Sequence, residues 1–67
     1  MARSLIEAWR RAVELDNTEF DALYNLTFAL ANSGAATDAR AYGEQFLATA
    51  PPAFYARDLA EIRRLLR

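Results

Sequence analysis

The residues best equipped for chemistry in this chain are carboxylates. Glu14 and Asp16, and again Glu19 and Asp21, stand two apart on either side of an Asn17-Thr18 pair. Paired carboxylates work as general acid and base when their surroundings force their pKa values apart, which takes burial and exclusion of water. Turn-forming residues surround both pairs here, so solvated acids are expected. Histidine and cysteine are absent. That removes imidazole bases, thiolate nucleophiles, disulfides and the usual zinc ligands in one step. The two glycines, Gly34 and Gly43, stand alone, so there is no glycine-rich loop to cradle a phosphate. Ser4-x-x-Glu7 and Thr37-x-x-Arg40 have the spacing of helix starts. The expectation is a non-enzymatic chain with no catalytic residue, no metal site and no cofactor.

Charge narrows the partners. All eight basic residues are arginines, against nine carboxylates, for a net charge of -1. No bulk attraction to nucleic acid or to an anionic membrane follows from that balance. Arg57, Arg63, Arg64 and Arg67 gather near the end, and they alone favour an RNA-binding alternative. Charged residues interrupt every apolar stretch, so no membrane span is expected. The start lacks the unbroken apolar region of a secretory signal, and a cytoplasmic setting is the default expectation. With 67 residues, 54% of them apolar, the chain is one small domain that buries only about 60% of its unfolded surface. A core of that size is marginal unless neighbouring protein adds to it.

The elements that must position these residues are all helical. From Ser4 to Leu15, Leu5, Ile6, Trp9, Ala12 and Val13 form a broad apolar stripe. Asp16-Asn17-Thr18 competes for backbone hydrogen bonds and ends it. A second helix, from Glu19 to Asn32, carries Phe20, Leu23, Leu26 and Leu30, and Ser33-Gly34 supplies a left-handed stop. A third starts at Ala36 or Thr37 and reaches Ala48, with Ala39, Tyr42, Gly43, Phe46 and Leu47 inward. Pro51-Pro52 closes it. A fourth runs from about Ala53 to the end, with Leu59, Ile62, Leu65 and Leu66 on one side. No period-two alternation is present, so the fold class expected is all-α, with four helices.

Short helices joined by tight turns call for a search at repeat periods. The stretch Ala22-Leu23-Tyr24-Asn25-Leu26, followed by Leu30, Ala39, Gly43, Phe46 and Pro51, resembles one tetratricopeptide repeat. A shift of 34 residues, the period of that family, aligns Leu5, Trp9, Ala12 and Asn17 with the second half of the same pattern. The fourth helix fits only after a shift of 36, which places Leu59, Ile62 and Leu66 over Leu23, Leu26 and Leu30 and sets Arg63 over Thr27. The resemblance therefore implies an α-solenoid fragment within a single domain over residues 1–67. Residues 4–16 stand as the second helix of a preceding repeat, 20–53 as a full repeat and 54–67 as a C-terminal capping helix. In the second helices, Trp9 with Ala12 has the large-then-small order, and Gly43 with Phe46 reverses it.

What the resemblance implies is a protein-protein interaction scaffold that binds a peptide or helix on its concave wall. Carried over residue by residue, that wall comprises Asp21, Tyr24, Asn25, Phe28, Ala31 and Asn32, extended by Arg57, Ala60, Glu61 and Arg64. Asn25 and Arg57 match two positions of a carboxylate-gripping variant, but Glu61 stands where a further basic residue would be needed. The alternative is an assembly module. Leu5, Ile6, Trp9 and Val13 would lack their preceding helix and could make a homo-oligomer through the N-terminal helix.

Overall fold

A computed structural model describes residues 4–67. Among them lie four α-helices: α1 (Leu5–Leu15), α2 (Phe20–Asn32), α3 (Ala36–Thr49) and α4 (Pro52–Leu65). The fold is all-α. No helix of the described residues is long and apolar enough to cross a membrane.

The helix ends follow local chemistry. The Ser4 hydroxyl accepts the Glu7 N–H at 3.2 Å and opens α1. After α1, the Asp16 carboxylate accepts both the backbone N–H and the hydroxyl of Thr18, at 2.9 and 2.6 Å. Those bonds, the hydroxyl's first, hold the Asp16 pKa below its ordinary value. Helix α2 begins one residue later than its spacing predicts, with Glu19 as an N-cap that makes no side-chain bond. It ends where Gly34 takes φ +86. The Gly34 N–H bonds the Ala31 carbonyl and the Ala35 N–H bonds that of Leu30, a Schellman closure that only a left-handed residue permits. Pro52 starts α4 in the first turn, where a missing N–H costs nothing. The backbone of α4 leaves helical values at Tyr55, whose ring lies 5.5 Å from that of Phe20 and 5.9 Å from that of Phe46.

The core is centred on α2. Leu23, Leu26, Thr27, Phe46 and Ile62 are fully buried, joined by Val13, Leu30, Ala39 and Leu59. Thr27 satisfies its buried hydroxyl by donating to the Leu23 carbonyl at 2.8 Å. Opposite it, Gly43 is where α3 comes closest. A Cβ there would stand 3.2 Å from Thr27 Cγ2 and 2.9 Å from Leu66 Cδ1. The reversed order of Gly43 and Phe46 thus has a packing reason: the small residue sits at the helix crossing, and the large one fills the centre. The backbone spans only 15 Å along its shortest axis. Two packed helices, with axes about 8–10 Å apart and Cα radii of about 2.3 Å, fill that span, so the chain is two layers thick and much apolar surface stays half-covered.

Two contacts that no periodicity announces tie the outer helices on. Arg10 of α1 donates to the Tyr42 hydroxyl at 3.3 Å, with its guanidinium 5.6 Å from the ring centre, and stands 4.0 Å from Asp38. Arg40 of α3 donates to the Leu66 carbonyl just past α4, a cation placed at the negative end of a helix. The core covers the stripe on α1 only in part, since Leu5 is 67% exposed.

Candidate protein-binding face

The face of interest lies between α2 and α4. Tyr24 and Phe28 stand one turn apart on α2 with ring centres 4.8 Å apart, and Tyr24 also lies 5.9 Å from Phe46. The Tyr24 hydroxyl donates to Glu61 Oε2 of α4 at 2.8 Å. Burial first, then the Glu61 bond and charge and the Asp58 charge, push the Tyr24 phenol up to about 12. This cross-link has a pH signature. The Tyr24 pKa is raised above the 10.0 of a free tyrosine, so its stabilisation is complete below pH 10 and is lost as pH rises through about 12. Melting temperatures across that alkaline range should therefore fall less steeply in Tyr24→Phe than in the unaltered chain. Identical slopes would mean that neither burial nor the Glu61 bond raises the Tyr24 phenol.

Past the Tyr24–Glu61 bond, Phe28, Glu61, Arg64 and Leu65 line a groove of about 250 Å³. A second groove of about 220 Å³ adjoins it through Leu65, with Ala31, Ala36 and Ala39 making its small-residue side and Arg40 and Arg67 its charged rim. Of the residues expected on the binding wall, the structure brings Tyr24, Phe28, Glu61 and Arg64 together. Asp21 is exposed and lies by Tyr55, whose phenol is raised by burial first and then by the Asp21 charge and bond. Asn25, Asn32 and Arg57 are exposed, and no side-chain hydrogen bond or ion pair among the described residues engages them. Leu65 was missed as a groove residue because its spacing with Leu59 and Ile62 marks it as interior. Arg40 was missed because nothing in its own helix points to the end of α4.

On the N-terminal helix the four residues of the expected open edge differ in exposure. Val13 is 6% exposed and belongs to the core, and Ile6 and Trp9 are half-buried against it. Only Leu5 of the four faces water. Leu15 and Phe54, at 76% and 83%, are the other large apolar residues left exposed.

Compared with known proteins, the chain matches no family model, no curated protein and no solved structure.

Proposed function

We propose that this chain is a protein-protein interaction module of tetratricopeptide-like build, whose α2–α4 face binds an extended peptide or a helix of another protein. The observation that carries the reading is the groove of Phe28, Glu61, Arg64 and Leu65. At about 250 Å³ it is smaller than the roughly 300–1,000 Å³ of sites that enclose a small molecule or cofactor. It suits a single apolar side chain. Beside it, Arg64 offers a charge, and Asn25 and Asn32 offer amides for a peptide backbone. An aromatic floor ringed by polar groups that adapt is the anatomy of a binding hot spot.

The repeat-like reading draws further support from Thr27, a small residue where α3 crosses α2, and from Gly34, the left-handed stop after α2, whereas Gly43 stands where the pattern has a large residue. Catalysis has no comparable support, because Glu14, Asp16, Glu19 and Asp21 are all exposed.

The test is selection from a random peptide library on the immobilised chain, followed by calorimetry with a synthetic copy of the strongest peptide. Phe28→Ala is expected to weaken that peptide at least tenfold, about 1.4 kcal/mol, and Arg64→Glu to do the same for any acidic sequence. Leu15→Glu on α1 should change nothing. A library that yields no enriched peptide, or a peptide indifferent to both groove variants, would defeat the proposal.

A further inference from the structure

Helix α1 carries two apolar stripes, of which the core uses one. Ile6, Trp9 and Val13 pack inward. Leu5, Ala8 and Leu15 repeat the same rhythm one residue earlier and face away, with Ala12 on the border between the two stripes, half-buried against the core. Leu5 and Leu15 are 67% and 76% exposed, Ala8 is exposed and Ala12 half-buried. Apolar spacing of three, four and three residues is that of a coiled-coil seam. None of the four lines either groove of the α2–α4 face.

The order of the stripe is the same in both directions: leucine, alanine, alanine, leucine. A two-fold axis across the middle of α1 sets Leu5 against Leu15 of a second copy and Ala8 against Ala12. That is the self-complementarity an isologous contact requires. The paired alanines let the axes approach to about 8 Å, and the leucines close each end. A partner of unrelated sequence has no need of such a palindrome.

Charge selects the antiparallel direction. Glu14 and Asp16 stand at the negative end of α1, and its last turn holds no basic residue, an unfavourable arrangement for the chain alone. An antiparallel copy lays the positive end of its own α1 alongside these carboxylates, whereas a parallel copy would set them beside their duplicates. Arg11, the one cation bordering the stripe, lies four residues from Glu7 and three from Glu14, a spacing at which opposite charges on one helix attract.

We propose that Leu5, Ala8, Ala12 and Leu15 form a self-docking seam through which two copies of the chain pair antiparallel along α1, leaving the Phe28 groove free on each. A seam one short helix long buries less than the roughly 1,200 Å² of a standard stable interface. The pairing is therefore reversible, and each copy stays folded alone.

The chain has no cysteine of its own, so engineered ones report cleanly. Ala8→Cys mixed with Ala12→Cys should oxidise to a mixed dimer well above its statistical share, with few dimers of either variant alone. In sedimentation equilibrium the unaltered chain should dimerise at millimolar concentration, and Leu15→Glu should weaken dimerisation at least tenfold with its helical circular dichroism unchanged. A strictly monomeric chain would overturn the proposal and leave the stripe to a different protein or a preceding helix. Dominant Ala8→Cys homodimers would overturn it as well, by showing a parallel pair.

Discussion

Phe46→Ala is expected to remove about 3–5 kcal/mol of stability, a large share of what the chain holds. Phe46 is fully buried, and its ring is surrounded by those of Phe20, Tyr24 and Tyr55, at 6.5, 5.9 and 5.9 Å. Truncating a buried phenylalanine costs about 3–5 kcal/mol through lost transfer energy and the cavity left behind. A chain of 67 residues holds only about 3–10 kcal/mol in total. Collapse around the cavity cannot recover much, because the three rings meet Phe46 from α2 and α4 and lose their common support together. Urea unfolding followed by helical circular dichroism measures the loss. A destabilisation below about 2 kcal/mol would show that the rings repack and that Phe46 is not the centre of the fold. The same variant bears on function, since Tyr24 reaches the Glu61 bond from its place on the Phe46 ring.

How far the sequence carries can be read from single residues. Leu23, Leu26 and Leu30 are buried where their spacing places them, because a three-four rhythm on one helix leaves only one face for a core. Gly34 ends α2 as expected, since its left-handed conformation is a local preference. Leu5 is the instructive case. It lies at the edge of a broad stripe, and whether an edge residue is covered depends on a neighbouring helix, not on its own. The same holds for the binding face. Tyr24 and Phe28 are neighbours by helix periodicity alone, but Glu61 reaches Tyr24 from 37 residues away, and Arg40 reaches Leu66 from 26. Polar pairs across such distances follow from packing already complete, and no rhythm in the sequence encodes them. Leu65 shows the converse: its interior spacing is real, yet no helix among the described residues covers it, so an apolar residue becomes a groove wall.

Gly43→Leu is expected to destabilise the chain by about 3 kcal/mol, the upper part of the range for overpacking, whereas Gly43→Ala should be close to neutral. The two differ in what must move. An alanine Cβ would stand 2.9 and 3.3 Å from the methyls of Leu66 and 3.2 Å from Thr27 Cγ2. Leu66 is half-buried and lies at the far end of α4, so its side chain can swing aside. Thr27 is held by its bond to the Leu23 carbonyl and needs to give only a few tenths of an ångström. Against that stands the gain of about 1 kcal/mol from removing a helical glycine. A leucine adds three further carbons at the α2–α3 crossing, where Thr27 has no free direction. The strain must then pass to the end of α4, breaking the Arg40 bond to the Leu66 carbonyl and pulling Leu65 from the groove. Urea midpoints give the energies, and amide exchange along α4 locates the loosening. If Gly43→Leu is tolerated, the close crossing is not needed for the fold. If it loosens α4 first, the groove beside Phe28 depends on a glycine that touches no ligand.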